Sequence, residues 1–551
     1  MAADASDSST VHSKPPATTN INIIHEGIST DRSRFTPHDV IADIWASLGL
    51  PAAVLPAIDL PGSENAGPVL PSSYRIGCLA QSSIALSALS AALVHSVRNA
   101  SVRKAEEKEK AAAASLPRIT VPQRHATAEF LSVQHCSIVT PNDDDASPQP
   151  PRARPSPVLD IHPTAEERGR IRIHTAFPHH RDGALRLLGL DPAAYRTGNL
   201  TRADIDAQTR QWRSRDLEAA GLAAGCAMYA LRSYGEWDGE AQASVVADVP
   251  VRVRRIGGGV VGVGAGAGAG RPGSGVTAAG RRRCLTGLRV LELTRVIAGP
   301  VAGRTLAAHG ADVLWVTAPH LPALPVVDRD VARGKRTAQL DLRREDHRER
   351  LRELVAGCDV FLQGYRPGSL AARGWEEEDL VRMNPGIVVA NMSAFGPEGP
   401  WQGRRGFDSL VQTCSGMNVS EAEHFNGGEQ GEVARVLPCQ ALDHASGYLL
   451  ATGICAALYK REVEGGGGAF CVDVSLAGTM KYLRSLGQFE GRSGFDCAGF
   501  TADEVEGYLE VRESGLGVLK AVRHSASVEG FETGWDRMPK PLGSDEAEWQ
   551  S

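Results

Sequence analysis

One acidic residue, Asp443, stands at the mouth of a long apolar stretch, RVLPCQALDHASGYLLATGICAALYKREVEGGGGAFCVDVS, residues 435–475. Leu449, Leu450, Ile454, Ala457 and Leu458 recur there at helical spacing, and Lys460-Arg461 end the run where a helix macrodipole favours cations. The spacing predicts a helix over 447–460, with Asp443 at or just before its first turn. A carboxylate in that place accepts backbone N–H bonds and meets the positive helix end, so we expect it to be ionised at neutral pH. Two roles suit it, a helix cap or a covalent nucleophile, and spacing alone favours the cap.

Cations form a second group. Arg333, Lys335 and Arg336 crowd around Gly334, which lets the backbone turn. Such a run is usually a solvated face, but at the mouth of a nucleotide-type sheet it suits phosphates, with arginine making bidentate contacts and lysine acting as a point charge. The pair His179-His180 invites a metal or acid–base reading. Adjacent residues point apart on regular structure and no carboxylate or thiol accompanies them at ligand spacing, so we read a polar rim and expect no metal.

The elements that must position these groups begin at Leu288. Residues 289–293 read as a buried strand, 301–309 as a helix, 311–316 as a strand, 351–356 as a helix, 360–362 as a third strand and 387–391 as a fourth. Strands alternating with short helices predict an α/β fold, a Rossmann-like parallel, doubly wound sheet with its ligand site beyond the strand carboxyl ends. Arg295, just past the first strand, and Gly364-Tyr365-Arg366, just past the third, fall on that edge.

The rest of the chain divides by composition. Residues 1–36 read as a disordered tail and 142–158 as a low-complexity surface loop. Residues 159–256 form a smaller domain, in which a strand within 169–181 runs into a helix over 184–190 and a longer helix follows over 202–224. Residues 257–283 hold a literal GxGxxG at Gly268, Gly270 and Gly273, but no apolar helix follows, so the stretch reads as a Gly-rich linker. Residues 284–480 are the sheet domain and 481–551 a C-terminal extension. Residues 37–141 repeat the order of apolar helix, polar break and short strand found at 448–475. An offset of 365 sets Ala91-Ala92-Leu93 on Ala456-Ala457-Leu458 and Cys78 under Asp443, so this degenerate copy lacks the acid.

With 551 residues, 42% of them hydrophobic, the chain has material for two or more domains. A formal net charge of -6 gives no electrostatic reason to expect nucleic acid. Ten cysteines without a CxxC pair suit buried thiols in a reducing compartment. The N-terminus has no apolar core of signal length and is too acidic for a transit peptide, and no apolar run approaches ~20 residues, so we expect a cytoplasmic protein without a membrane span.

Six ordered motifs carry a resemblance: Leu288-Arg-Val-Leu-Glu-Leu-Thr-Arg-Val-Ile-Ala-Gly-Pro300, Gly310-Ala-Asp-Val, Arg333-Gly-Lys-Arg336, Tyr365-Arg-Pro-Gly368, Gly406-Phe-Asp408 and Ala441-Leu-Asp443. Together they resemble the family III CoA-transferases, the CaiB/BaiF group. The resemblance implies that Asp443 is the nucleophile, and that Arg295, Val296, the loop of Arg333, Lys335 and Arg336, Gly364, Tyr365 and an arginine near Arg373 contact CoA. The sequence departs from the family at Val316-Thr317, where many members carry Glu, and at Gly364-Tyr365, where others carry Asn-Phe. The implied reaction moves CoA from an acyl-CoA thioester to a carboxylic acid through an aspartyl intermediate, with CoA as substrate and no metal or redox cofactor. It also implies the family fold, here in rearranged order with a partial internal repeat, and a homodimer or an intramolecular pseudo-dimer. Two alternatives stay open: an acyl-CoA racemase or epimerase of the same fold, and a non-catalytic CoA-binding subunit. Racemases of the group carry His where this chain has Phe407, leaving His444 and Asp408 as substitute bases.

Overall fold

Val290, Leu291 and Leu293 are all buried although alternate side chains of a strand point to opposite faces, which is the mark of a strand covered on both sides. That strand lies inside the largest sheet of the computed structural model, which describes residues 21–22, 30–65, 67–99, 116–139, 156–257, 282–464 and 468–550. Most of the expected 1–36 tail, most of the 142–158 loop and nearly all of the 257–283 linker lie outside the described residues.

The sheet contains β1 (Val251–Arg255), β2 (Arg289–Leu293), β3 (Asp312–Thr317), β4 (Arg336–Gln339), β5 (Val360–Gln363), β6 (Val388–Ser393) and β7 (Phe470–Ser475), in the order β4-β3-β2-β5-β6-β7-β1. All neighbours are parallel except β1, which runs antiparallel to β7 along the edge. Strands β2 to β7 thus take the order of a doubly wound nucleotide-binding sheet, and the winding reverses between β2 and β5. Ligands of such sheets bind in the crevice beyond the carboxyl ends at that reversal.

Six helices set the site: α1 (Ile76–Asn99), α2 (Pro178–Leu187), α3 (Ala298–Ala308), α4 (Asp408–Cys414), α5 (Ala441–Val463) and α6 (Leu476–Ser485). Helix α5 is longer than its apolar period predicts, and the earlier start brings Asp443 inside its first turn. It is buried from Ala441 through Tyr459 and packs mainly against α1 and α3. Gly447 permits the α3 contact, since a Cβ there would lie 2.6 Å from Val301 Cβ and 2.7 Å from the Ala298 carbonyl oxygen.

Helix α1 corrects the expectation about apolar length. By length and composition it is able to cross a membrane, but its apolar window is wholly buried within the protein. Serines break the run in the sequence without making the helix polar, because Ser82, Ser87 and Ser90 donate their hydroxyls back to helix carbonyls at 2.7, 2.7 and 3.0 Å. The helix starts at Ile76, which the offset of 365 sets on Ala441, the first residue of α5.

In the smaller domain, Ile161–Pro163, Arg170–Ile173 and Met228–Ala230 form an antiparallel sheet over a core that includes Ile171, Ile173, Leu185, Leu217 and Met228. The helix expected over 202–224 is broken into Arg202–Thr209 and Ser214–Ala223. The Glu166 carboxylate accepts from the Ser214 amide at 3.1 Å, and the Trp212 carbonyl from the Ala165 amide at 2.8 Å, so both groups leave the helical ladder. At the other end of the chain a hairpin of Leu509–Ser514 and Gly517–Val522 takes up Ser137–Val139 as a third strand. The chain then straps the sheet domain through Trp535 and Trp549, whose indole N–H groups donate to the Arg304 and Leu354 carbonyls at 2.9 and 3.0 Å.

Candidate active site

A cleft of about 330 Å³ opens where the winding reverses, beyond the ends of β2 and β5. Arg295 and Val296 enter it from β2, Gly364 and Tyr365 from β5, and Asp443 from α5. A neighbouring cleft of about 440 Å³ shares Arg295, Val296 and Phe177 and runs toward the C-terminal strap at Pro539 and Leu542. Val296 has φ 69, the one positive value at a non-glycine among the described residues. Strain of roughly 1–3 kcal/mol at such a position persists where the surroundings over-determine it, and ligand sites are where it gathers. Arg295 donates to the Pro322 carbonyl at 2.6 Å and its guanidinium lies 4.1 Å from the centre of the Phe177 ring. Arg373 closes the turn Ala371–Arg373, donates to the Ser369 carbonyl at 3.0 Å and lies outside the cleft lining.

Asp443 is 7% exposed, and its carboxyl has no hydrogen-bond partner among the described residues. The helix-end amides that would hold it as a cap are taken by another acid. Asp408 Oδ2 accepts the Leu442 N–H at 2.8 Å and the Asp443 N–H at 3.0 Å, while Gln412 Nε2 donates to Oδ1. Asp408 is therefore the cap of α5, contributed from 35 residues upstream. Burial pushes the Asp408 pKa up to about 6 against these hydrogen bonds. Burial, and then the charge of Asp408, push Asp443 well above the ordinary carboxylate value. The expectation of an Asp443 held ionised by the helix end is thus corrected, because the amides serve its neighbour.

The basic loop is corrected too. Arg333 is fully buried, pairs with Asp330, donates to the Val522 carbonyl at 2.5 Å and lies 4.0 Å from the Trp535 ring centre. Lys335 Nζ donates to Glu292 Oε1 and to the Pro300 carbonyl, each at 2.8 Å, and burial pulls its pKa down to about 8. Arg336 pairs with Asp312 at 2.8 Å and donates to the Glu548 carbonyl at 2.6 Å. The loop leads into the amino end of β4, away from the carboxyl edge, and none of the three lines the cleft. Arg333 and Arg336 brace the sheet against the strap, and Lys335 is held within the sheet domain.

Two other expectations move. His444, one residue past Asp443, stacks on Phe130 at 5.5 Å and lies outside the cleft lining, and burial pulls its pKa down to about 3. His179 and His180 do line the cleft, brought there by α2 together with Phe177 and Arg405. The sequence suggests only a polar rim on the smaller domain for these histidines, because nothing in their spacing reveals that this domain closes over the sheet. Their proximity to Arg181 and Phe177, a charged and aromatic cluster at a helix start, was the available signal. Among the described residues no group of three or more His, Cys, Asp or Glu is placed to hold a metal ion.

Residues 285–487, which include both Asp408 and Asp443, match the family model of CoA-transferase family III. The acetyl-coenzyme A transferase nodX of Hypoxylon pulicicidum is 32% identical over 220 residues, covering 39% of this chain and 36% of that protein. The probable fatty acyl-CoA transferase Rv3272 of Mycobacterium tuberculosis is 34% identical over 194 residues, covering 33% and 48%. The formyl-CoA:oxalate CoA-transferase of Bradyrhizobium diazoefficiens is 33% identical over 197 residues, covering 34% and 45%. The chain spans less than half the length of these curated relatives. Among solved structures, the crystal structure of the hypothetical protein Rv3272 from Mycobacterium tuberculosis matches at 32% identity and TM-score 0.32, over 36% of this chain and 56% of that one.

Proposed function

We propose that this chain, whose residues 285–487 carry a family III CoA-transferase segment, moves CoA between an acyl-CoA thioester and a carboxylic acid through a covalent adduct of Asp443. The observation that carries the reading is the Asp443 carboxyl, unpartnered and facing a cleft at the winding reversal of the sheet. An ionised Asp443 adds to the thioester carbonyl, the C–S bond breaks, and a mixed anhydride and CoA thiolate result. The thiolate attacks the aspartyl carbonyl, releasing the donor acid and leaving an aspartyl-CoA thioester. The acceptor carboxylate attacks that thioester, and the thiolate set free takes the new acyl group and restores the Asp443 carboxylate. Arg295, Arg366 and Arg405 give the cleft a cationic lining suited to anionic ligands. Of the expected CoA contacts, Arg295, Val296, Gly364 and Tyr365 remain in the proposal with Arg373 on the outer rim, and Arg333, Lys335 and Arg336 leave it.

A racemase needs a second proton-transfer group. Phe407 accepts no proton, His444 faces Phe130, Asp408 is occupied as a cap, and burial lowers the pKa of the cleft-lining His179 and His180, the latter to about 3, which makes them weak bases, so transfer is the better reading. The named activities of the relatives run from formyl and acetyl to fatty acyl, which sets the donors to screen. With acetyl-, formyl- and long-chain acyl-CoA, label from the free acid should enter the thioester, and with the acetyl and long-chain donors no solvent deuterium should appear at the α-carbon. Deuterium at that carbon without an acceptor acid would establish the racemase, and CoA binding with neither event would establish a non-catalytic subunit.

We further infer that the repeat expected over 37–141 stands in for part of a second copy. The support is the coincident start of α1 and α5 under one offset, and the packing of the two helices on each other.

A further inference from the structure

We propose that His180 is a further catalytic residue, its Nε2–H donating a hydrogen bond to the thioester carbonyl oxygen as Asp443 adds to the carbon. This rests on the transfer reading. The step leaves atom and charge balance unchanged: the carbonyl π pair moves to oxygen when the aspartyl C–O bond forms, returns when the C–S bond breaks, and the His180 proton stays on nitrogen.

The need comes first. Addition to a thioester gathers negative charge on oxygen, and preorganised donors at that point are the usual means of stabilising it. The nearest helix-end amides, Leu442 and Asp443, are consumed by Asp408, and the Thr294 hydroxyl at the cleft wall is committed to Glu292 at 2.6 Å. A donor must come from another element, from the first amides of α3 or from a side chain.

His180 meets that need by position. It lies in the first turn of α2, is 4% exposed, and lines the same cleft as Asp443. The ring is held edge-on to Phe177 and Phe407, with centroids 5.9 and 6.0 Å away, and contacts His179 at 4.1 Å. Phe407 is itself backed by His174, stacked at 3.8 Å. Nδ1 of His180 is sealed in without a hydrogen-bond partner, which leaves Nε2 as the ring nitrogen open to the cleft. Orphaned N–H groups are rarer in protein interiors than under-satisfied acceptors, so the proton belongs on Nε2.

The surroundings keep the ring neutral. Burial, followed by His179, Arg405, Arg295 and Arg366, pulls its pKa down to about 3. A neutral imidazole of this kind donates a hydrogen bond without passing through imidazolium, so it stabilises charge and does not relay protons. Position 407 carries no imidazole, while the smaller domain brings His180 into the cleft from a different element.

The test uses the full chain as wild type, His180→Phe and His180→Gln. With acetyl-CoA, the single-turnover rate of Asp443 adduct formation should fall about 100-fold in His180→Phe. His180→Gln, which keeps a donor, should recover part of the rate, while the Kd for free CoA and the Tm stay near wild type. A rate within twofold of wild type in His180→Phe overturns the proposal and gives the oxyanion to backbone amides at the start of α3. A rate loss matched by the loss of CoA affinity or of Tm overturns it as well. Independently of turnover, 15N-histidine NMR of the wild type should show the Nε2–H tautomer from pH 5.5 to 8.5. Its resonance should move on adding acetonyl-CoA, which keeps a carbonyl oxygen but has no thiolate to lose. An Nδ1–H tautomer or an unmoved resonance overturns the assignment even in an active enzyme. A moved resonance without transfer from any donor leaves His180 as the carbonyl donor and sinks the transferase instead. Deuterium exchange that depends on His180 replaces the donor role by proton transfer.

Discussion

Asp443 and Asp408 share one helix end, and the protein resolves the conflict by giving the amides to Asp408 and the cleft to Asp443. The proposed nucleophile is then an acid whose proton is hard to remove, its pKa raised by burial and by its neighbour's charge. Because only the ionised form attacks, kcat/KM should rise with pH along an acid limb above the ordinary carboxylate range of about 4. Asp408→Asn removes the neighbouring charge and should move that limb to lower pH in a pH–rate profile. Stability follows the opposite sign. A carboxyl whose folded pKa is raised binds its proton more tightly when folded, so stability falls as pH rises from about 3.8 through the raised value. Asp443→Asn should therefore melt higher than wild type at pH 8, by on the order of 2 °C, with the gap closing toward pH 4. None of this was legible at Asp443 itself. Its motif and helix were, but its protonation is set by a residue from another helix, which spacing does not reveal.

At the scale of elements, the strands were the most readable part. The apolar runs at 289–293, 360–362 and 387–391 mark strands buried on both faces, and β2, β5 and β6 lie there to within a residue or two. Arg295 and Gly364-Tyr365 reach the ligand edge for the same reason, since each follows a strand's carboxyl end. The basic loop failed because most of its partners are remote in sequence, Glu292 in β2 and Trp535 and Glu548 in the strap, and spacing does not reveal that Asp330, three residues from Arg333, is buried with it. Three cations in four residues look solvated until such partners are placed. Arg333→Ala should leave Asp330 with one less cation in a buried site and destabilise the fold by about 3–5 kcal/mol in denaturant titration. At limiting dose the CoA affinity of the molecules still folded should be unchanged. Gly447→Ala tests the α3–α5 contact, and the forced shift should lower stability by about 1–3 kcal/mol and reduce transfer, because α5 carries Asp443.

For the whole molecule, the sheet is assembled from both sides of the Gly-rich stretch, with β1 before it and β2 to β7 after it. Residues 257–283 join β1 to β2, two strands of one sheet, and we expect that stretch to act as a tether only. Deleting 262–275 should leave the Tm and the transfer rate within error of wild type, whereas collapse of CoA binding would show that the glycines hold phosphate. The burial of α1 against α5 within one chain supports an intramolecular pseudo-dimer. Light scattering should then give the mass of one chain, and the mass of two would favour the homodimer.

The aspartyl adduct is the claim on which the rest depends. Wild-type protein mixed with an acyl-CoA and an acceptor acid, quenched with hydroxylamine and mapped by peptide mass spectrometry, should carry a hydroxamate at Asp443. Asp443→Asn should carry none while still binding CoA. A hydroxamate at any other carboxyl, or turnover that proceeds with Asp443 unmodified and survives its replacement, would contradict the account.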